Sequence, residues 1–476
     1  MAQVLLGQSY YLRFDPKLWD AMQPYPPLGT LYAAGYLRQQ GFSVALFDAM
    51  LAQSITEWAD ALERHQPRFA VIYEDGFNYL SKMCLLKMRQ ASFEMMDIAK
   101  RVCPTVIVSG SDATDHVEEY RNHGADYVLL GEAEITLAEL VAHLESRGPQ
   151  GAEDIPGVAV GGGPPKAGAR PLLRELDTLP FPAWDLVDIP RYRSIWRARH
   201  GYYSINMATT RGCPYECNWC AKPIYGRHYH ARTPENVVDE MELLRRIAEP
   251  DHFWFADDIF GLKPGWIRSF AQLVSERRVR TPFKCLMRPD LVTPEVAREL
   301  GKAGCRTVWM GAESGSQKIL DAMEKRARVD DTRHATRLLR NEGIEVCYFL
   351  QFGYPGENWQ DVLKTIQLVR DCLPDDIGVS VSYPLPGTRF YENVRSQLES
   401  KQNWLDSDDL AMLYRGPFSQ DFYRHLHSTL HREYRARKAW AQIRAGGNLR
   451  HLVAIFRAAR LPLDRLKLAW LRTRAS

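Results

Sequence analysis

Short apolar runs alternate with amphipathic segments along the first 150 residues of the chain. Runs such as QVLLG, RFAVIYE and PTVIVSG have the length of buried strands, and segments such as LGTLYAAGYLRQQG, which ends at Gly41, have the helical period. Strands that alternate with helices predict a Rossmann-like, doubly wound parallel sheet. Ligands bind such sheets at the carboxyl ends of the strands. These ends carry Gly7, Tyr73-Glu74, Ser109-Gly110-Ser111 and Gly131-Glu132.

The pattern changes three times after this region. Residues 151–195 are rich in glycine and proline, which predicts a linker with one short hairpin. From 196 to 395, six apolar runs alternate with helical segments and predict an open, partial (β/α)6 barrel in a chain of the α/β class. Residues 396–476 have no further strand pattern and are expected to form a helical C-terminal region.

Composition limits the class of protein. A chain of 476 residues with 45% hydrophobic and 25% charged residues is typical of a soluble protein of two or three domains. No apolar run approaches the ~20 residues of a membrane span, and the N-terminus lacks the charged region of a signal peptide. We therefore expect a cytoplasmic, reduced protein.

Charge is distributed unevenly along the chain. From Arg424 to the end there are 13 lysines and arginines against two acidic residues, so this segment carries +11 within a total of +3. Its last stretch, LRHLVAIFRAARLPLDRLKLAWLRTRAS, is basic with an apolar face. Such helices favour anionic membrane surfaces. A helix packed on the barrel with solvated charges, or a nucleic-acid contact, would explain the same pattern, although nucleic acid is the weaker expectation.

Three cysteines lie within eight residues, in the stretch TTRGCPYECNWCAKP. Cys213, Cys217 and Cys220 can hold three irons of a cubane cluster and leave the fourth open, because such clusters otherwise take four thiolates. Structural zinc needs four ligands, usually in two pairs, and no second pair follows at that spacing. Nine cysteines in a long chain without a signal peptide also argue against disulfides. We assign the other six a structural role.

This spacing, with Trp219 before the third cysteine, resembles the radical S-adenosylmethionine (radical SAM) superfamily. The resemblance implies that the three cysteines bind a 4Fe–4S cluster and that SAM, contacted also by Trp219, chelates the open iron. An electron from the cluster then cleaves SAM to a 5′-deoxyadenosyl radical. It further implies an electron donor such as flavodoxin or ferredoxin.

The resemblance extends to the strands after the cysteines. Asp257 and Asp258 stand where the family often has a Gly-Gly-Glu-like stretch that holds the SAM amino group, and Asp257 is the preferred candidate. Glu313 and Ser314 correspond to the segment that meets the SAM ribose and carboxylate. Helix capping would account for one of the aspartates and for Ser314 without any ligand.

Other features of the barrel are less specific. Arg288 is a further candidate for the SAM carboxylate. The wordings FGYPGE and YPLPGT recur in cobalamin-type radical SAM enzymes, where Gly353 and Gly356 would let the backbone approach a ligand. Tight turns without any ligand would explain these glycines nearly as well.

The N-terminal region resembles the cobalamin-binding domain that precedes many radical SAM cores. The segments that carry this likeness are PPLGTLYAAGYLRQQGFSVALFDA, VIVSGSDAT and DYVLLGEAEITLAEL. It implies cobalamin contacts by Ser109, Gly110, Thr114, Gly131 and Glu132. The usual Asp-x-His-x-x-Gly motif is missing from GQSYYLRFDPKLWD. Either cobalt has no protein histidine ligand, or the domain is purely structural.

The resemblance predicts domains at 1–150 (cobalamin-binding), 196–395 (radical SAM core) and 396–476 (basic and helical), with 151–195 as linker. The predicted function is methyl transfer from methylcobalamin to an unactivated carbon of a small, hydrophobic substrate. An oxidative cyclase of the anaerobic chlorophyll type or a ring-rearranging enzyme is the nearest alternative. A non-catalytic cobalamin or iron–sulfur sensor is an alternative of another class.

Overall fold

The computed structural model describes residues 2–161, 164–220, 224–398, 400–444 and 458–473. The chain forms two compact units. We call them unit 1, which comprises Met1–Pro214, Ala221–Pro282 and Asn403–Asp409, and unit 2, which comprises Tyr215–Cys220, Phe283–Gln402 and Leu410–Ser476. The domain boundaries expected from the sequence remain predictions.

Unit 1 contains the parallel sheet that the first 150 residues predict. Its strands are β1 (Val4–Gly7), β2 (Val44–Phe47), β3 (Phe69–Tyr73), β4 (Thr105–Ser109), β5 (Tyr127–Leu129) and β6 (Val158–Ala159). They lie in the order β2-β1-β3-β4-β5-β6, and all pairs are parallel except β5 with β6. In place of the expected hairpin, β6 extends this sheet, because Val158 and Ala159 pair with Leu129 and Val128.

Helices cover both faces of this sheet. They are α1 (Pro16–Ala21), α2 (Leu28–Gln39), α3 (Thr56–His65), α4 (Tyr79–Lys82), α5 (Leu86–Lys100), α6 (Ser111–Asp115), α7 (Val117–Asn122) and α8 (Glu134–Arg147). Neighbouring strand residues point to opposite faces. Leu5 therefore packs with Trp58 of α3, whereas Val4 packs with Leu37 of α2. The fully buried strands explain the continuous apolar runs of the sequence.

The rest of unit 1 leads into and out of the cysteine stretch. It comprises α9 (Ile189–His200), β7 (Ser204–Met207), β8 (Thr210–Arg211), β9 (His230–Ala231), α10 (Pro234–Ile247), β10 (His252–Phe255) and α11 (Trp266–Glu276). β7 and β10 are parallel, and β8 and β9 form a short antiparallel ladder. The ladder brackets the cysteines in the sequence.

Unit 2 contains the later strands of the predicted barrel, β11 (Phe283–Met287), β12 (Cys305–Glu313), β13 (Glu345–Phe352) and β14 (Asp376–Val381), which pair in parallel in this order. Its helices are α12 (Pro294–Ala303), α13 (Gln317–Ala322), α14 (Val329–Asn341), α15 (Trp359–Cys372), α16 (Arg389–Val394), α17 (Gln420–Arg444) and α18 (Leu461–Leu471).

The mixed α/β class, the six strands that alternate with helices after residue 196 and the helical C-terminal region are confirmed. Part of the basic segment from Arg424 onward, residues 445–457 and 474–476, lies outside the described residues. Among the helices that are described, none combines the length and apolarity needed to cross a bilayer.

Candidate active site

The cysteine stretch begins at a tight turn in unit 1. Gly212 has a positive φ of 75°, which favours glycine. A Cβ there would lie 2.2 Å from the backbone oxygen of His228 and 2.8 Å from that of Tyr225. Only glycine fits this close approach, and it sets the direction in which the chain reaches Cys213.

Arg211 fixes the same turn through charge. Its guanidinium bonds Glu132, and it donates to Glu134 at 2.8 Å. All three side chains are less than a tenth exposed. Aromatic rings lie 5.1–5.6 Å from the guanidinium, those of Tyr32, Phe77 and Tyr225. Glu132, a predicted cobalamin contact, thus reaches the start of the cysteine stretch, and burial raises its pKa although Arg211 opposes the shift.

Asp257 holds the segment just before Arg211. Its carboxylate accepts from the backbone N–H groups of Thr209 and Thr210 at 2.7 and 2.9 Å and from the Thr209 hydroxyl at 2.6 Å. Burial raises the pKa of Asp257 to about 6. Asp258 instead pairs with Lys82 at 2.6 Å. Asp257 therefore has a structural role. A contact between Asp257 and SAM remains a prediction.

Asn218 anchors the second half of the cysteine stretch, in unit 2. The backbone N–H of Cys220 donates to the oxygen of Cys217 at 3.2 Å, which closes a turn around Asn218. The Asn218 side chain donates to the Ala322 oxygen at 2.8 Å and accepts from the Tyr354 hydroxyl at 2.8 Å. These bonds join the turn to the end of α13, and sequence reasoning did not single them out.

Arg288 lies beside one of the thiols. Its Nη1 is 3.6 Å from Cys217 Sγ, and its guanidinium lies 3.7 Å from the ring centre of Tyr215. The remaining donors bind Asp290 and the backbone oxygen of Lys325. A hydrogen-bond donor at a ligand sulfur tunes an iron–sulfur cluster. The structure thus shows a contact between Arg288 and Cys217. A contact between Arg288 and the SAM carboxylate remains a prediction.

Trp219 contributes to a small apolar cluster in unit 2. It packs beside a core made of Ile319, Met323, Tyr354, Phe390, Val394 and Tyr414. Its buried Nε1 has no hydrogen-bond partner among the described residues. Through Trp219, this apolar cluster packs against the cysteine turn. The role of Trp219 toward SAM remains a prediction.

Glu313 ends β12 in an uncommon conformation. Its φ is +56°, and the pairing of β12 with β13 is irregular between Gly311 and Glu313. Its carboxylate pairs with buried Lys325 at 3.0 Å. A non-glycine residue with positive φ costs of order 1–3 kcal/mol and is found disproportionately at ligand sites. This is consistent with the predicted SAM contact without testing it.

Ser314 follows directly and is fully buried. Its hydroxyl lies 3.1 Å from that of Thr365 and accepts from the backbone N–H of Ser316 at 3.1 Å. Ser316 in turn donates to Asp361 at 2.7 Å. Ser314 therefore orders the chain just before α13, but the N-cap of that helix is Ser316, without a side-chain capping bond, so the capping alternative does not explain Ser314. Contact of Ser314 with SAM remains a prediction.

All nine cysteines are thiols, and those of the motif are only partly buried. Within the described part of the chain, no three His, Cys, Asp or Glu side chains gather closely enough to bind one metal ion. A cubane cluster does not require this, because each thiolate binds a different iron. The thiols remain the predicted ligands.

The predicted cobalamin residues lie at the carboxyl ends of β4 and β5. Gly110 has φ +150°, and a Cβ there would lie 2.6 Å from the Cβ of Glu74. Thr114 donates to the Gly110 oxygen at 2.7 Å and accepts from the Gly131 N–H at 3.4 Å. Ser109 is buried, and its backbone oxygen accepts from the Glu74 N–H at 2.9 Å. Gly110, Thr114 and Gly131 are thus joined by hydrogen bonds, and Ser109 and Glu132 are their neighbours in the chain.

Buried polar groups surround the ends of β1 and β3. Both side-chain polar atoms of Gln8, the hydroxyls of Tyr10 and Tyr11, and one oxygen of Glu74 have no hydrogen-bond partner in the described residues. The other Glu74 oxygen accepts from the Ser9 N–H at 3.0 Å. Burial raises the pKa of Glu74 to about 7. The sequence pointed to Glu74 by its strand end but not to Gln8 or the tyrosines.

Comparison with known families decides what these two regions belong to. Residues 207–369 match the family model of the radical SAM superfamily, and residues 20–141 match that of the B12 binding domain. The chain is a radical SAM enzyme with a B12-binding domain. Its cofactors are therefore a 4Fe–4S cluster, SAM and cobalamin.

Relatives and solved structures agree with this assignment. The chain is 26% identical to hopanoid C-3 methylase of Methylococcus capsulatus, over 88% of this chain and 78% of the relative. It is 25% identical to the anaerobic magnesium-protoporphyrin IX monomethyl ester cyclase of Cereibacter sphaeroides, over 80% of this chain but only 63% of the relative. The structure of the radical SAM methyltransferase TsrM from Kitasatospora setae has a similar fold (TM-score 0.67, 19% identity, 83% of this chain and 75% of that one).

The residues of this radical SAM enzyme fit its cofactors. In the predicted cobalamin-binding region, polar atoms of Gln8 and Glu74 without a partner among the described residues offer hydrogen bonds to a polar ligand, and Gly110 leaves room for the Glu74 side chain. At the cysteine turn, Arg288 supplies a donor to Cys217, which suits a negatively charged cluster. For SAM, the supporting observation is Glu313, whose positive φ is common at ligand sites and whose carboxylate is held by Lys325.

Proposed function

We propose that the protein transfers a methyl group to an unactivated carbon of a small, hydrophobic substrate. The bound cluster and SAM would supply a 5′-deoxyadenosyl radical, and cobalamin would supply the methyl group. One observation carries this proposal: Glu132 and Glu134, at the B12-binding edge, bind Arg211, two residues before Cys213. This contact links the predicted methyl-carrying and radical-generating sites within unit 1.

Residues of the chain have defined tasks in this reaction. Cys213, Cys217 and Cys220 would hold the cluster, with Arg288 donating to Cys217. Glu313, kept in place by Lys325, would accept from the ribose hydroxyls of SAM. A carboxylate suits a diol because its oxygens accept from two hydroxyls.

Further residues would serve cobalamin. Gln8, Tyr10 and Tyr11 would donate to its polar groups, and Glu74 can donate as well when its raised pKa keeps it protonated near neutral pH. Gly110 would keep Glu74 in this position, because a Cβ at residue 110 would lie 2.6 Å from the Glu74 Cβ. The stretch GQSYYLRFDPKLWD, which follows β1, contains no histidine, so we expect a cobalt without an imidazole ligand from that stretch.

The test uses the reconstituted, reduced full-length protein. Wild-type protein should bind cobalamin and convert SAM to 5′-deoxyadenosine, and a Cys217→Ala variant should lose SAM cleavage while still binding cobalamin. Protein that binds cobalamin but never cleaves SAM would contradict the proposal and favour a sensor. Metabolite profiling of a deletion strain fed methionine labelled in its methyl carbon should then reveal the methylated product.

A cyclase remains the second candidate, because one similar protein is the anaerobic magnesium-protoporphyrin IX monomethyl ester cyclase. A product that lacks the labelled methyl group but differs from its precursor by oxidation would favour this alternative. The two outcomes are exclusive for a given product.

We propose two partners in addition to the substrate. A small electron carrier such as flavodoxin or ferredoxin would reduce the cluster. The basic C-terminal region would bring the enzyme to a membrane surface, consistent with its +11 charge from Arg424 onward. A hydrophobic substrate would then reach the enzyme from that membrane surface.

A further inference from the structure

One face of α18 is packed against α17. Leu468 and Leu471 are buried. Asp464 is paired with Arg432, and its backbone oxygen lies 3.0 Å from a ring nitrogen of His425. Several independent contacts therefore fix the rotation of α18 about its own axis.

The opposite face of α18 carries large apolar side chains. Leu463, Leu466 and Trp470 are 68%, 67% and 50% exposed. Their spacing of three and then four residues places them in one row along the helix. Lys467 is exposed next to that row. We call Leu463, Leu466 and Trp470 the exposed row; such contiguous apolar surface is unusual on a protein exterior and marks interaction sites.

The segment that contains the exposed row is strongly basic. The segment from Arg424 to the end has two acidic residues, Glu433 and Asp464. Glu433 is bound by three arginines (Arg370, Arg437 and Arg465), and Asp464 by Arg432. Both acids therefore form ion pairs that join α17 to α18. With both acids bound in this way, the described segment exposes further basic side chains: Arg424, Arg435, Arg444, Arg460, Lys467 and Arg472.

We propose that α18 docks on an anionic lipid bilayer, with the exposed row inserted between headgroups and the surrounding basic side chains on the lipid phosphates. This rests on the membrane contact within the proposed function and names its docking face. Nucleic acid would use the positive charge but not the three apolar side chains. A second copy of the chain would bring two faces of equal charge together. A bilayer with anionic lipids matches both features.

Vesicle flotation of the full-length holoprotein tests this assignment. Wild-type protein should float with vesicles of phosphatidylcholine and phosphatidylglycerol, and less with phosphatidylcholine alone or at high salt. The double variant Leu463→Glu/Trp470→Glu should bind the anionic vesicles at least about tenfold more weakly. Ile247→Glu, at a 44% exposed apolar residue of α10, is the matched control and should bind like wild type.

The outcomes separate the docking face from the membrane contact itself. If wild-type protein floats with neither vesicle, the membrane contact fails. If it floats but the double variant binds equally well, α18 is not the docking face. A wild-type dimer that the double variant abolishes, seen by sedimentation without vesicles, would assign the row to a second copy. Unchanged circular dichroism and iron content verify that the variants fold.

Discussion

The two ends of the cysteine stretch are held by different physical means. At its start, the charged Arg211 lies between Glu132 and Glu134 inside unit 1. At its other end, the neutral Asn218 makes hydrogen bonds to Ala322 and Tyr354 inside unit 2. Neither support uses the cysteines themselves.

The difference predicts different sensitivity to substitution. A buried ion pair contributes little net stability when intact, but removal of one partner leaves an uncompensated buried charge. A neutral hydrogen bond costs less when broken, because only the desolvation of a polar group remains. We therefore expect the start of the stretch to depend on charge and pH, and its end on geometry alone.

Arg211→Ala should have the largest effect. Glu132 and Glu134 would remain buried without a cation, which should cost about 3–5 kcal/mol of unfolding free energy. Denaturant unfolding of the apoprotein measures it. Arg38→Ala, which removes an exposed pair with Asp185 at 2.7 Å, is the control and should cost less than about 1 kcal/mol. An Arg211→Ala protein as stable as wild type would remove the basis of the comparison.

The pH dependence sharpens this test. Burial already raises the pKa of Glu132 above its unfolded value, and loss of Arg211 should raise it further. A carboxyl whose folded pKa is raised stabilises the fold fully below its unfolded pKa, and this contribution is lost as the pH rises through the folded value. The deficit of Arg211→Ala should thus be larger at about pH 8 than at about pH 5.5. The opposite trend would contradict the buried-charge explanation.

Asn218→Ala should have a smaller effect with a weaker pH dependence, because its shorter hydrogen bonds are to neutral groups and only a 3.4 Å bond reaches the Glu324 carboxylate. It leaves the Ala322 oxygen and the Tyr354 hydroxyl without this partner, which should cost about 1–3 kcal/mol and lower the iron bound per chain. Tyr354→Phe removes one hydroxyl and should cost about 0.5–1.5 kcal/mol. Because the two residues are in contact, the double variant should lose less than the sum. Strict additivity would show that the bond does not support the turn.

Arg288→Lys should change the cluster without unfolding the protein. A lysine cannot bond Asp290, the Lys325 oxygen and Cys217 at the same time, because it lacks the planar fork of arginine. We expect about tenfold slower formation of 5′-deoxyadenosine per cluster and a shifted reduction potential. Arg298→Lys, at an exposed arginine of α12, is the control. An unaltered potential would restrict Arg288 to packing.

The alternating pattern located β1 to β5 and the main strands after residue 196, because buried parallel strands read as apolar runs. It did not predict α9, which begins inside the expected linker, or the short β8–β9 ladder. It was less informative in 151–195, where β6 has two residues and is defined by its neighbour β5 rather than by its own sequence. The motif spacing located the cysteines and the strand-end residues. The local sequence pattern does not predict contacts between residues that are far apart in the sequence.

The residues that sequence reasoning overlooked show this limit. Arg211 binds acids some eighty residues earlier, and Asn218 binds a tyrosine 136 residues later. Gln8, Tyr10 and Tyr11 are notable only because their buried side-chain polar atoms have no hydrogen-bond partner in the described part of the chain. Conversely, Asp257 and Ser314 have backbone and hydroxyl partners that motif resemblance alone does not reveal.

The bond between Arg211 and the two glutamates also bears on how such enzymes can be recombined. A cluster-binding stretch whose first turn is fixed by the preceding domain is not a self-sufficient module. We expect that grafting another B12-binding domain onto this chain would succeed only if the donor supplied acids at the positions of Glu132 and Glu134 and an aromatic wall like that of Tyr32 and Phe77. The predicted B12-binding domain and the start of the cysteine stretch would therefore have to be exchanged together.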